Sequence, residues 1–266
     1  MEEKQLIHLE KEGPLGIITL QAPPANCYSY DMMRQLDSAI LDLRMDQNIH
    51  VILLTGAGDK FFCAGADIGM LQDADPTFKY YFCLHANETL LRLEQTPKLV
   101  IAAINGHCVG GGLEVAMASD IRWARSGSAK VGLPEVKLGV LPGTGGTARL
   151  TRLVGKAKAI ELMVEGTNLD LEQANALGLV NDVVESATHD DFIETVKKRA
   201  LEFCPPNTAS MSVGHIKRSV QTGSDLGLEQ HLALERELQQ RLFTSDDAKE
   251  GILSYVEKRR PEFTGK

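Results

Sequence analysis

The chain has 266 residues, 43% of them hydrophobic and only 5% aromatic, with 24 glycines and a formal net charge of −8. That is enough apolar material for one large core, and the acidic balance argues against a protein that coats nucleic acid through bulk electrostatics. No apolar run reaches the length of a membrane span, and the acidic start Met1-Glu2-Glu3-Lys4 resembles neither a secretory signal nor a transit peptide, so a cytoplasmic location is expected.

Residues 3–10 and 15–21 read as two short strands joined by a turn at Gly13-Pro14, the second carrying the β-branched run Gly16-Ile-Ile-Thr-Leu20. Residues 30–45 have helical spacing, with Met33, Leu36, Ile40 and Leu43 on one face. A buried strand is expected over 50–55, ended by Gly56-Ala-Gly58, then a helix over 76–93 and another apolar strand over 99–105. This alternation predicts parallel strands in a layered α/β domain. Beyond about residue 185 the pattern becomes purely helical, over 190–203, 207–222, 227–243 and 245–260. The expected organisation is an α/β core over 1–190 and a helical region over 191–266.

Cysteine and histidine chemistry contributes little. The five cysteines, Cys27, Cys63, Cys83, Cys108 and Cys204, form no CxxC pair, and there is no HExxH. Neither a disulfide framework nor a metal site is expected.

Three glycine-flanked segments stand out. Phe61-Phe-Cys-Ala-Gly-Ala-Asp67 follows the strand at 50–55, and Asp67 is placed to cap a helix. Asn105-Gly-His-Cys-Val-Gly-Gly-Gly-Leu-Glu114 places three successive glycines before a helix expected over 113–119. Backbone N–H groups at such a start point outward and favour negative charge, as in an enolate; a phosphate or a simple packing turn fits as well. Gly132-Leu-Pro-Glu135 puts Pro134 at the first position of a helix and Glu135 in its first turn. Glu114 and Glu135 are therefore two glutamates at separate glycine-flanked helix starts. Each alone is explained by the helix dipole; together they suggest acid–base work. The segment Gly143-Thr-Gly-Gly-Thr-Ala148 matches a relaxed dinucleotide motif, but Pro142 stands where a parallel strand would have to run in, so nicotinamide cofactor binding is not expected.

In this order, the segments resemble the enoyl-CoA hydratases of the crotonase superfamily over nearly the whole chain. Asn26, Phe62-Cys-Ala-Gly-Ala-Asp-Ile68, Gly110-Gly-Gly-Leu-Glu-Val-Ala116, Pro134-Glu135 with Pro142-Gly-Thr-Gly-Gly-Thr147, Ala174 with Gly178-Leu-Val180, Asp247-Ala-Lys-Glu-Gly251 and Glu257-Lys-Arg259 carry the match. The resemblance implies a spiral of ββα units with a helical C-terminal trimerisation region, assembled as a homotrimer or a dimer of trimers. It implies an oxyanion hole from the N–H groups of Ala66 and Gly111, with Glu114 and Glu135 as the acid/base pair; hydration needs one to activate water and the other to protonate Cα, and Glu114 is assigned chiefly to the water and Glu135 to Cα. Pro24, Ala25, Ala64, Gly65, Ala66, Asp67, Ile68 and Gly110 would lie along the acyl-CoA substrate, and Tyr255 and Lys258 would reach the coenzyme A of a neighbouring subunit. No cofactor is implied beyond the coenzyme A of the substrate, and no nucleic-acid or membrane partner. The implied setting is fatty-acid metabolism of the β-oxidation type.

The chain departs from the family pattern at Gly69, where some hydratases carry a lysine, and at Pro23-Pro-Ala25. Tyr28 and Tyr30 are bulkier and more polar than the usual residues. An extra residue falls near Arg125-Ser-Gly-Ser128, and Val131 replaces a common Phe. The last three differences are expected to reshape the acyl pocket. Double-bond isomerisation, thioester hydrolysis and decarboxylation use the same oxyanion hole, and an RNA-binding member is an alternative of another class. The presence of both glutamates favours hydration.

Overall fold

The computed structural model describes residues 4–266. Met1-Glu2-Glu3, with most of the acidic start and the first residue of the strand expected over 3–10, lies outside the described residues.

The chain begins with a hairpin, β1 (Ile7–Glu12) and β2 (Leu15–Leu20), turning at Gly13-Pro14. Helix α1 (Tyr30–Met45) follows, its N-cap Ser29 accepting the Met32 N–H. Strand β3 (Val51–Gly56) leads to a short β4 (Phe61–Cys63) and the helices α2 (Ile68–Asp73) and α3 (Pro76–Glu94). Strand β5 (Leu99–Ile104) leads to a short β6 (His107–Val109) and α4 (Gly111–Met117). Strand β7 (Ile121–Arg125) leads to β8 (Val131–Gly132) and a single 3-10 turn, Glu135–Leu138. A strand in one sheet, a short strand in another and a helix thus recur three times, although no residue pattern repeats. Helices α5 (Gly146–Val154) and α6 (Lys156–Glu165), strand β9 (Asn168–Leu169), α7 (Leu171–Ala176) and β10 (Asp182–Val184) complete this part. The rest is helical: α8 (His189–Leu201), α9 (Ser210–Gly223), α10 (Leu228–Phe243) and α11 (Asp246–Glu257).

The larger sheet runs β1-β2-β3-β5-β7-β10 and is parallel from β2 onward. Its central strands read as unbroken apolar runs because both faces are covered. Side chains alternate strictly between the faces. Ile52, Leu54, Val100 and Ala102 join α1 and α3 in one core. Val51, Leu53, Leu99 and Ile101 face Phe192, Val196 and Ala200 of α8 in the other. Truncating a side chain such as the fully buried Phe82 or Phe192 would cost about 3–5 kcal/mol.

The smaller sheet, β4-β6-β8-β9, positions the chemistry. Its first three strands are parallel, so their carboxyl ends open on the same side. Those ends are Ala64-Gly65-Ala66, Gly110-Gly111 and Pro134-Glu135. Among the described residues, no helix is long and apolar enough to cross a membrane.

Candidate active site

The three strand ends surround a cavity of about 310 Å³. Ala64, Gly65, Ala66, Gly110, Gly111, Glu114 and Glu135 all line it. Its apolar walls include Ile68, Leu71, Leu138, Val140 and Leu141.

The backbone N–H groups of Ala66 and Gly111 have no hydrogen-bond partner among the described residues. Ala66 bridges Tyr28 in parallel, but the bonds are made by its neighbours: Tyr28 N–H donates to Gly65 C=O and Asp67 N–H to Tyr28 C=O. The N–H of Ala66 therefore faces the opposite way. Gly111 is the first residue of α4, so its N–H has no intrahelical acceptor. Gly110 before it sits at φ +57, a turn that suits glycine, and its own N–H is taken by Gly132 C=O. The approach of the two loops is tight: a Cβ on Gly65, itself at φ +99, would lie 3.1 Å from Gly111 N.

Glu114 is buried in the first turn of α4. Its Oε1 accepts the N–H of Thr144 at 2.8 Å and that of Gly146 at 2.7 Å. Its Oε2 accepts the Thr144 hydroxyl, which in turn lies 3.0 Å from the Tyr28 hydroxyl. Burial raises the Glu114 pKa, while these three hydrogen bonds and the Arg149 charge pull it back. Glu135 is less enclosed but poorly solvated. Its Oε2 is buried with no hydrogen-bond partner among the described residues. Burial pushes the Glu135 carboxyl up to about 7; its own backbone N–H lowers it, the Glu114 charge raises it and Lys79 lowers it. One carboxylate thus accepts three hydrogen bonds, with a single donor on Oε2, and the other is left close to its titration point at neutral pH.

Comparisons with known proteins give the family. The enoyl-CoA hydratase/isomerase family model matches residues 10–266. The chain belongs to that family. It is similar to a short-chain-enoyl-CoA hydratase of Clostridium acetobutylicum, 37% identical over 96% of this chain and 95% of the relative. It is also similar to a crotonyl-CoA hydratase of Syntrophomonas wolfei, 34% identical over 98% of each. An enoyl-CoA hydratase structure from Geobacillus kaustophilus superposes with a TM-score of 0.94 at 40% identity, covering 99% of this chain and 98% of the other. The crotonase-like α/β spiral expected from the sequence is the observed fold.

Within this family member, the expected site residues divide. Ile68 joins the cavity wall, whereas Asp67 caps α2 by accepting the Met70 N–H at 2.8 Å. Pro24 and Ala25 do not line the cavity; Ala25 C=O supports it by accepting the Ala64 N–H. Asn26, at φ +51, is buried and ties this segment to Ala57 C=O and Phe61 C=O at 2.9 Å each. Tyr255 and Lys258 lie on the exposed end of α11, away from the cavity of their own chain.

Other expectations are corrected. Pro134 does not begin an α-helix; it precedes a 3-10 turn that Gly139, at φ +72, ends after four residues. Helix α4 starts at Gly111 rather than at 113, because Gly110 makes the turn. Of the departures expected to reshape the pocket, only Tyr28 reaches it. Tyr30 packs beside Phe78 and His85, Val131 is buried in β8, and residues 125–128 stay off the cavity. Thr144 and Lys79 line the cavity and were given no role by sequence reasoning. Thr144 lies within the dinucleotide-like motif, so its position, but not its contact with Glu114, carried a signal.

Proposed function

We propose that the protein adds water reversibly across the double bond of a 2-enoyl-CoA thioester, giving a 3-hydroxyacyl-CoA. The observation that carries this reading is a pair of cavity-lining carboxyl groups in opposite hydrogen-bonding environments, beside two N–H groups that have no partner among the described residues. Attack of water at Cβ drives charge onto the thioester oxygen. The Ala66 and Gly111 N–H groups would meet that charge without reorganising. Glu114, accepting three hydrogen bonds, suits the base that takes a proton from water. Glu135, its carboxyl held near 7, suits the acid that protonates Cα. The relatives named as short-chain-enoyl-CoA and crotonyl-CoA hydratases support a small acyl group.

The reading extends to a cytoplasmic enzyme of the β-oxidation type that needs no cofactor beyond the coenzyme A of its substrate. It also extends to a trimer or hexamer in which Tyr255 and Lys258 reach a neighbour's coenzyme A. Exposed Leu228, Phe243, Ile252, Tyr255 and Val256 on the last two helices support such packing. Light scattering of the active enzyme tests the assembly, and an active monomer overturns it. The activity test is crotonyl-CoA in ¹⁸O-water. Label in a 3-hydroxybutyryl thioester supports hydration. Label in a free carboxylate indicates hydrolysis instead, and a moved double bond without added mass indicates isomerisation.

A further inference from the structure

Tyr28, Thr144 and Glu114 form a buried chain at the cavity wall, each no more than 3% exposed. Both donors on Glu114 Oε1 are backbone N–H groups, which cannot accept a proton. A proton on Glu114 is therefore carried by Oε2, facing either the Thr144 hydroxyl or the cavity that Glu114 lines. Two directions of hydrogen bonding are then open. With Glu114 ionised, Tyr28 donates to Thr144 and Thr144 donates to Glu114, and every group is matched. With a proton on the Thr144 side of Oε2 the chain reverses, and the Tyr28 hydrogen has no other acceptor among the described residues; a proton received from the cavity side leaves both hydroxyls donating. An unmatched buried donor is costly, so the first direction is favoured.

Tyr28 is held to this task. Its ring lies 5.9 Å from that of Phe82. Its hydroxyl rests on the Cα of Gly111, where a Cβ would collide with it. Burial, then the Glu114 charge, raise its pKa well above the ordinary tyrosine value, so it stays a donor across the working range. The other groups facing this chain are Arg149 from α5, Glu135 from the 3-10 turn, and the thiols of Cys63 and Cys83.

We propose that Tyr28 and Thr144 are positioning residues for the hydration, their hydroxyls forming a one-way relay that holds Glu114 as the ionised base. The relay rests on the hydratase reading for its catalytic meaning, but not for its existence.

The test uses the full-length enzyme and three variants. Thr144→Val removes the hydroxyl and keeps the backbone N–H; Thr144→Ser keeps both; Tyr28→Phe removes only the upstream donor. Two quantities are read: the acidic limb of kcat/KM against pH with crotonyl-CoA, and the titration midpoint of Glu114 by carboxyl ¹³C NMR, assigned by its loss in Glu114→Gln. Thr144→Val should raise both by about one pH unit and lower kcat about tenfold with little change in KM. Tyr28→Phe should move both the same way by less, and Thr144→Ser should restore them. A Thr144→Val enzyme that loses turnover without any shift of the midpoint overturns the relay, as does a serine variant that behaves like valine. If Thr144→Val fails to fold, an unshifted midpoint in Tyr28→Phe overturns it equally. A shifted midpoint in a protein that does not hydrate crotonyl-CoA sustains the relay and overturns the hydratase reading.

Discussion

Gly65 presses against the amide of Gly111, with 3.1 Å between that nitrogen and the place a Cβ on Gly65 would occupy. A methyl group there would screen one of the two N–H groups at the mouth of the cavity, and φ +99 would strain any other residue. Gly65→Ala is expected to remain folded by circular dichroism and to lose about 10²–10³ in kcat/KM, as when one oxyanion donor is removed. Near-normal turnover would show that the Gly111 amide is not used.

Glutamine keeps the shape of each carboxyl but cannot exchange a proton. Glu114→Gln and Glu135→Gln should each lower kcat by about 10²–10⁴. The double variant should be scarcely worse than either single one, since base and acid serve one water molecule. Fully multiplicative losses in steady-state kinetics would argue that the two groups act in separate steps.

Glu135→Gln should also change stability with a definite sign. The folded protein holds the Glu135 proton up to about pH 7. The unfolded chain releases it near the ordinary glutamate value of about 4.3. The folded state therefore gains from this proton at low pH and loses that gain as pH rises from about 4.3 to about 7. Glutamine has nothing to lose. Urea titrations should favour the variant by about 2 kcal/mol more at pH 8 than at pH 5. The same stability difference at both pH values would mean that Glu135 titrates as an ordinary surface glutamate.

Helix α9 is docked through Lys217, whose Nζ lies 2.8 Å from Asp120 and donates to Lys98 C=O at 3.0 Å. Lys217 is buried and Asp120 largely so, and this burial raises the Asp120 pKa and lowers that of Lys217. Lys217→Met should destabilise the fold by about 3–5 kcal/mol by stranding the carboxylate. Adding Asp120→Asn should recover part of the loss in thermal melts; a double variant worse than Lys217→Met alone would contradict this.

The long elements are legible in the sequence for plain reasons. The strands at 51–56 and 99–104 are buried on both faces, which leaves an unbroken apolar run. Helix α1 is half-buried, so its apolar residues recur at helical spacing. Strands β4, β6 and β8 have only two or three residues each, too few for any periodicity, yet they aim the site. The glycines at 65 and 110–112 marked the loops between them. Asp67 as a cap was equally legible, because capping is local. Tyr28 was noticed only as bulkier and more polar than usual: its partner Thr144 is 116 residues away, and no local pattern joins them.

That separation bears on how activity would arise during folding. The cavity draws on residues near positions 28, 65, 111, 135 and 144, brought together by successive parallel crossovers. Only a stretch reaching from Tyr28 to Thr144 holds the whole wall. Parallel pairing of distant segments is slow, because long loops must close before their contacts reward them. After dilution from denaturant, helical signal should return first and catalysis last, making turnover a report on the completed chain rather than on any one piece of it.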